Sequence, residues 1–183
     1  PVVGLSGGQW KRVNEDGHLP LYNRFKAALG PGSGFKGVTA AVGMETGAID
    51  PAEDFGYSGL KWRKDDSWGG YYVKTTKAYK EAANLENALV YSDNIYFAKA
   101  ALKMGGERFA EELIRLGFEE RIPFEYGLYS SILSATETFT SEIQLADSGF
   151  GQGEVLTNPV HLASIYSAFV NGGDMPNPHL VQD

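Results

Sequence analysis

The 183-residue sequence predicts a mainly helical fold, and three observations support that prediction. Apolar residues recur at helical spacing in five or six separate segments. Glycine, proline and N-capping residues stand at the ends of these segments. Only one short run, residues 71–76, has the composition of a strand. A chain of this length is also long enough to bury a hydrophobic core.

The first predicted helix follows a flank of mixed composition. Residues 1–31 show no clear apolar period, and the flank ends at Gly30-Pro31-Gly32, which is typical of a turn. The run Phe35–Thr46 is apolar on nearly all sides and therefore predicts a helix that is buried on several faces. Gly47 is a suitable residue to end that helix.

The remaining helices follow a long excursion. Residues 51–76 are rich in Gly, Asp and aromatic residues, which predicts a loop with small pieces of regular structure. The next predicted helix is 85–102, with a break at 92–94 and an end at Gly105-Gly106, and the one after it is 109–116, with Gly117 following. Two more helices are predicted at 142–148, with Ser141 as N-cap, and from 159 to about 170, with Pro159 in the first turn.

Composition excludes several classes of function. Sixteen Lys and Arg against 23 Asp and Glu give a formal net charge of −7, which argues against nucleic acid or anionic lipid as the main partner. The absence of cysteine excludes disulfides, thiolate metal sites and a cysteine nucleophile. The histidines at 18, 161 and 179 are far apart, so we predict no metal site. The chain begins at Pro1 instead of Met, and we expect a processed or excised piece of a longer protein.

The first candidate for chemistry is Ser33-Gly34-Phe35-Lys36, which has the form S-x-x-K. A serine in the first turn of a helix and a lysine three residues later project from the same face. If burial lowers the pKa of Lys36, its neutral amine can act as a general base towards the Ser33 hydroxyl. Ser58 and Lys61 have the same spacing, but they lie in the predicted loop and we interpret that match as coincidence.

The second candidate is Ser92-Asp93-Asn94, and two interpretations of it stay open. It can be a polar break between two helices in which Asp93 or Asn94 caps the second helix. It can also be functional, since a serine hydroxyl beside a lysine can relay protons and an asparagine amide can hold a substrate amide.

Beyond these motifs, four segments resemble class B penicillin-binding proteins. The chain resembles the transpeptidase domain of the low-affinity type found in Gram-positive bacteria. The resemblance covers nearly the whole chain, and the segment Asn87–Ala98 is highly specific. The segments are Pro20–Phe25, Pro31–Lys36, Asn87–Ala98, and Gly149–Glu154 with Asn158-Pro159.

The resemblance implies a role for each matching position. Ser33 corresponds to the acylated nucleophile, Lys36 to its base and Ser92 to the proton-relaying hydroxyl. Asn94 corresponds to the amide that binds the peptide, and Gly151, Gln152 and Gly153 correspond to a substrate-binding loop beside the groove. The implied partners are peptidoglycan stem peptides ending in D-Ala-D-Ala and β-lactams, without a cofactor. The implied location is the extracytoplasmic face of the bacterial membrane, with any anchor outside this chain.

Two departures from the family pattern matter. Gly34 and Gly37 stand where the family usually has larger residues, and we interpret them as drift or engineering that loosens the placement of Ser33. The family's third motif, K-[ST]-G, is absent. The resemblance therefore implies the helical subdomain of the α/β penicillin-binding transpeptidase (β-lactamase-like) fold, with most of the central antiparallel sheet missing. Residues 1–31 would be an N-terminal flank, and residues 32–183 the helical subdomain.

Three functional hypotheses follow. The first hypothesis is that the chain is part of a D,D-transpeptidase and is weakly active or inactive by itself. In the family the K-[ST]-G strand helps to form the oxyanion hole, and this motif is absent from the sequence. The second is a serine β-lactamase, for which Glu154 and Asn158 are the candidate deacylating residues. The third is a non-catalytic helical scaffold that self-associates, or is completed by another chain, to cover apolar surface.

Overall fold

The computed structural model describes residues 4–56 and 59–181, and this part of the chain is mainly helical, as predicted. Within these residues there are seven α-helices and one two-stranded antiparallel sheet. None of the described helices is long and apolar enough to cross a membrane. The helices are α1 Gly7–Glu15, α2 Lys36–Glu45, α3 Leu85–Val90, α4 Asn94–Met104, α5 Gly106–Arg115, α6 Glu142–Ser148 and α7 Pro159–Ala168, and the strands are β1 Lys61–Trp62 and β2 Val73–Lys74.

Helix α2 continues from a 3-10 turn, Gly32–Phe35, and is enclosed on several sides, as its apolar sequence predicts. Phe35 and Val38 are fully buried. The Phe35 ring meets the rings of Phe109 and Phe118 edge-on, with centroids 6.4 and 6.0 Å apart. This aromatic cluster anchors the chain two residues after Ser33.

Helix α4 packs between α2 and α6 and is the most buried helix of the described chain. The predicted break before it is confirmed, because α3 ends at Val90 and the Asp93 carboxylate caps α4 by accepting from the Ile95 N–H. Gly149, at the end of α6, permits the close approach to α4. A Cβ at this position would lie 2.4 Å from the Phe97 carbonyl oxygen.

The capping residues of the later helices are confirmed. The Ser141 hydroxyl accepts a hydrogen bond from the Gln144 N–H at the start of α6. Pro159 opens α7, and Asn158 caps that helix. Helix α5 begins directly after Gly105, three residues before the predicted start.

The long excursion contains less strand than the sequence predicts. Within the predicted strand 71–76 only Val73–Lys74 is regular, and it pairs with Lys61–Trp62, which the sequence did not reveal. Trp62 packs edge-on against the buried Trp68, so aromatic packing accompanies this pair. Ser58, the coincidental S-x-x-K match, lies outside the described residues.

Helix α1 was not predicted. None of its residues is buried, and Trp10 and Val13 are its two large apolar side chains, which is too few for an apolar period to stand out. The one local signal is a capping box, in which the Ser6 hydroxyl accepts from the Gln9 N–H while the Gln9 side chain accepts from the Ser6 N–H.

Asn158 joins the N-terminal flank to the helical body. Its side chain is fully buried, and its Nδ2 donates to the carbonyl oxygens of residues 25, 26 and 27 at 3.1–3.2 Å. Its Oδ1 accepts from the Val160 N–H at 2.9 Å. Beside it, Leu29 pairs with Thr157 in an antiparallel bridge. The flank that leads to Ser33 is therefore fixed by one buried amide.

We predict that Asn158→Ala lowers the free energy of unfolding by about 2–4 kcal/mol, because it removes a helix cap and leaves buried carbonyls unpaired. Urea denaturation followed by circular dichroism measures this change. Asn158→Asp keeps the oxygen that caps α7 but loses the amide donors, so it should also destabilise the protein. Asn14→Ala, on the exposed helix α1, is the matched control. Equal stability of Asn158→Ala and Asn14→Ala would contradict the prediction.

Candidate active site

Three polar side chains from two distant motifs form a hydrogen-bonded triangle. The Lys36 Nζ donates to the Ser33 Oγ at 3.0 Å and to the Ser92 Oγ at 2.7 Å. The Ser92 hydroxyl donates to the Ser33 Oγ at 3.1 Å. The three groups proposed from the sequence therefore meet at one place in the structure.

Local backbone geometry brings Ser33 and Lys36 together. Ser33 lies in the 3-10 turn, and Lys36 is the first residue of α2, so the two side chains leave the same face of one continuous helical segment. Ser33 is exposed, whereas Lys36 is only 3% exposed. The hydroxyl is thus open to a ligand while the amine approaches it from the interior.

A strained backbone conformation aims Ser92 at Lys36. Its φ of 55° lies in the left-handed region, which residues other than glycine rarely adopt. The Asp93 N–H donates to the Ala88 carbonyl at 2.8 Å and closes the turn after α3. In this conformation both the carbonyl and the hydroxyl of Ser92 accept from the Lys36 Nζ, at 2.8 and 2.7 Å.

Asp93, the residue after Ser92, is a buried carboxylate that acts on Lys36 through electrostatic attraction. Its carboxylate is buried and accepts hydrogen bonds from the Tyr79 hydroxyl at 2.6 Å and from the Ile95 N–H at 2.8 Å. The capping interpretation of the second motif is therefore confirmed, since Asp93 caps α4. Ser92 contacts Lys36, and its role as a proton relay stays a prediction.

Burial lowers the pKa of Lys36 to about 8, and attraction to the Asp93 carboxylate opposes that shift. The Lys36 Nζ also lies 5.9 Å from the centroid of the Phe97 ring. At pH 7, about a tenth of the lysine side chains would carry a neutral amine, which is the form that can accept a proton.

Asn94 stands at the edge of the site beside the small sheet. It is the first residue of α4, and its Nδ2 donates to the Lys74 carbonyl of β2 at 2.8 Å. Its amide makes no hydrogen bond with Ser33, Lys36 or Ser92 among the described residues.

The predicted loop of residues 151–153 supports the turn of Ser33. The Gly32 N–H donates to the Gly151 carbonyl at 2.8 Å, and a Cβ on Gly151 would lie 2.1 Å from the Gly32 oxygen. Gly151 also has a φ of 77°, so this position requires glycine. Gln152 is exposed, and Gly153 lies against the end of α6.

One residue at this site was not found by sequence reasoning. The Tyr166 hydroxyl, from α7, donates to the Gly34 carbonyl at 2.6 Å. A Cβ on Gly37 would lie 2.4 Å from that hydroxyl oxygen, whereas a Cβ on Gly34 would meet no atom within 4 Å. Gly37 therefore has a packing role that drift does not explain. No local pattern connects Tyr166 with residues so distant in sequence.

His161, the histidine of α7, is hydrogen-bonded inside the fold. His161 is buried, with its Nδ1 2.7 Å from the Ser131 Oγ and its Nε2 2.7 Å from the Leu116 carbonyl. Among residues 4–56 and 59–181, no group of three His, Asp or Glu side chains could hold a metal ion.

Comparison with known proteins agrees with this geometry. The family model described as penicillin binding protein transpeptidase domain matches residues 2–183. The chain is 40% identical over 181 residues to penicillin-binding protein 3 of Bacillus subtilis, covering 99% of this chain and 27% of that protein. It is 30% identical over 144 residues to the probable peptidoglycan D,D-transpeptidase FtsI of Caulobacter vibrioides, covering 79% of this chain and 23% of that protein. The chain thus spans about a quarter of the length of these curated relatives.

Solved structures share the fold. The chain superposes on PBP2 of Pseudomonas aeruginosa in complex with WCK 5153 with a TM-score of 0.80 and 22% identity, over 96% of this chain and 42% of that one. For the penicillin G acyl-enzyme complex of penicillin-binding protein A from Mycobacterium tuberculosis, the TM-score is 0.77 at 20% identity, over 94% and 39% of the two chains. These likenesses show the helical part of the transpeptidase fold.

We predict that Lys36 titrates with a midpoint near pH 8 when its Cε resonance is followed by carbon-13 NMR. In Asp93→Asn the midpoint should fall further, because the carboxylate that favours the ammonium form is gone. The asparagine can still cap α4, so the fold should persist. A wild-type midpoint near the ordinary value of 10.5 would contradict this prediction.

Proposed function

This chain belongs to the class B penicillin-binding protein transpeptidase family, and on that premise we propose that it carries the acylation site of a peptidoglycan D,D-transpeptidase. The observation that carries the proposal is the triangle of Ser33, Lys36 and Ser92. The substrates would be stem peptides ending in D-Ala-D-Ala, and β-lactams would compete for the same serine.

The proposed reaction has two halves. In the first, the Ser33 Oγ attacks the carbonyl carbon of the penultimate D-Ala while the neutral Lys36 amine takes the hydroxyl proton. Ser92, hydrogen-bonded to both groups, passes its own proton to the departing nitrogen of the terminal D-Ala and receives in exchange the proton that Lys36 took from Ser33. In the second half, an amine of a neighbouring stem peptide attacks the acyl carbon and gives a proton to the neutral Lys36 amine. The bond to the Ser33 Oγ then breaks, and that proton passes to Ser33.

A β-lactam would follow the first half only. Ring opening breaks the amide bond without releasing the nitrogen as a separate molecule, so the leaving group stays attached to the acyl-enzyme. The proton from Lys36 or Ser92 ends on that nitrogen, and Ser33 remains acylated.

The low pKa of Lys36 supports its assignment as the base. An ordinary lysine would be almost fully protonated at neutral pH and could not accept a proton from Ser33. Its burial beneath an exposed Ser33 places the desolvated amine where the attack on a ligand would occur. A non-catalytic scaffold would have no need for a buried amine or for the strained Ser92, so both features favour an acylation site.

Hydrolysis of β-lactams is less well supported. The Glu154 carboxylate accepts from the Ala135 N–H at 3.1 Å, and Asn158 is engaged with α7 and the flank. Neither side chain is hydrogen-bonded to Ser33 within the described residues. A rapid deacylating step therefore has no evident base among these candidates.

The domain organisation and location follow from the same proposal. Residues 1–31 would form a flank that leads into the active-site helix, and residues 32–183 would form the helical subdomain with both motifs. The parent protein would act on the extracytoplasmic side of a bacterial membrane, where its substrate lies. Asn94 and residues 151–153 would contact the peptide, with Asn94 offering its amide oxygen because its Nδ2 already donates to Lys74.

We predict slow acylation of Ser33 by a fluorescent penicillin, detected by intact mass as one added penicilloyl group. The reaction should be slow because no K-[ST]-G strand is present to complete the oxyanion hole, and loss of one oxyanion donor typically costs about 10²–10³ in rate. The rate should rise about tenfold between pH 6 and pH 7 and level off above about pH 8, as Lys36 becomes neutral.

Matched variants separate the outcomes of this experiment. Ser33→Ala should not be acylated, whereas the exposed Ser67→Ala should react as wild type. Prompt stoichiometric acylation would contradict the expected effect of the missing strand. Acylation of Ser33→Ala, or sustained turnover of a chromogenic cephalosporin, would contradict the proposed function itself.

We also predict that the isolated chain self-associates, or is completed by another chain, through exposed apolar surface. A groove of about 480 Å³ opens between α2, α5 and α7, and next to it Phe169 is 49% and Val170 is 89% exposed. Sedimentation velocity should show a sedimentation coefficient that rises with concentration. A single monomeric species at high concentration would contradict this expectation.

A further inference from the structure

We propose that Tyr166 is a positioning residue for acylation, which fixes the backbone beside Ser33 through its hydrogen bond to the Gly34 carbonyl. The inference rests on the proposed function, because it concerns the rate at which Ser33 reacts. Tyr166 belongs to α7 and lies outside both motifs.

The hydrogen bond joins two parts of the fold at the residue that follows the nucleophile. The Tyr166 Oη lies 2.6 Å from the Gly34 oxygen. Gly34 sits in the 3-10 turn that carries Ser33, and glycine there allows more backbone conformations than any other residue. A donor on a separate helix restricts the orientation of the Gly34–Phe35 peptide group, and with it the turn from which the Ser33 side chain projects.

Gly37 and Tyr166 form a matched pair. A Cβ at position 37 would lie 2.4 Å from the Tyr166 Oη, which is closer than real contacts of a Cβ, and 3.0 Å from its Cζ, which is closer than most. Any other residue at position 37 would push the tyrosine away from Gly34. Phe169 packs edge-on against the Tyr166 ring at 5.0 Å, so the ring is also supported from its own helix.

The contact of Tyr166 with Gly34 does not involve the two acceptors that Ser92 offers to Lys36. The Lys36 Nζ is held by the carbonyl and hydroxyl of Ser92, and Asp93 is held by Tyr79. Loss of the Tyr166 hydroxyl should therefore disturb the placement of Ser33 and leave the two Ser92 acceptors of the Lys36 Nζ in place. This difference separates a positioning role from a general loss of structure.

Burial raises the pKa of Tyr166, so its hydroxyl stays protonated and can donate at every pH at which Lys36 titrates. The pH profile of the reaction should thus report Lys36 alone.

The test compares Tyr166→Phe with the wild-type chain by following acylation with fluorescent penicillin at saturating concentrations. We expect the limiting acylation rate to fall about tenfold, the effect of one lost hydrogen bond, while the midpoint of the pH profile stays near that of wild type. Tyr22→Phe, an exposed tyrosine in the N-terminal flank, is the matched control and should react as wild type.

A double-mutant cycle tests the pairing. Gly37→Ala alone should slow acylation, because its Cβ displaces the Tyr166 hydroxyl. In the Tyr166→Ala background, where that space is free, Gly37→Ala should cost little more. Additive effects of the two changes would overturn the proposed pairing.

Amide hydrogen exchange provides a readout that does not need acylation. Tyr166→Phe should speed exchange in residues 33–38 and leave α4 unchanged. If wild type were not acylated at all, the predicted slow acylation of Ser33 would be wrong, and the exchange rates would still decide whether Tyr166 restrains the turn. Wild-type exchange in Tyr166→Phe, or a wild-type acylation rate, would overturn the inference. So would a shifted pH midpoint, since that would indicate a disturbed base.

Discussion

The side chain of Lys36 brings a potential charge into the interior, and the rest of the candidate site is arranged around its hydrogen bonds. An unpaired buried ammonium is strongly unfavourable, so the group either finds acceptors or loses its proton more easily than in water. Here both happen, because Ser92 supplies two acceptors and Ser33 a third, while the pKa of Lys36 falls to about 8. The balance between solvation lost and hydrogen bonds gained is what makes a lysine able to act as a base near neutral pH.

That balance requires rigid supports, and the structure supplies one for each member of the triangle. The aromatic cluster around Phe35 holds the start of α2, and the Gly151 carbonyl holds the Gly32 N–H just before Ser33. The closed turn after α3 keeps Ser92 in its left-handed conformation, which on its own costs roughly 1–3 kcal/mol. Groups placed on packed helices in this way keep their distances more precisely than groups on loops.

Sequence patterns predicted the helices that combine an apolar period with a cap or a proline, and they missed α1 and the strand Lys61–Trp62, which lack that combination. Ser141 and Pro159 mark the starts of α6 and α7 correctly, because a cap or a proline acts on its own backbone. Helix α1 buries no residue and has two large apolar side chains, so the apolar pattern on which prediction depends is too short to stand out. The strand Lys61–Trp62 is two residues long and exists through its partner strand and the packing of Trp62, which a pattern of alternation cannot show.

The sequence by itself determined that Ser33 and Lys36 share one face, since residues three apart in a helical segment are neighbours whatever surrounds them. Through the break at 92–94 it also predicted a cap on α4 by Asp93 or Asn94, and the structure selects Asp93. Only the tertiary structure decided that Ser92 would reach Lys36 across 56 residues, and that Tyr166 would fill the space left by Gly37. Those contacts depend on how α2, α4 and α7 pack together, and packing is set by the complementary shapes of the whole core instead of by any one segment.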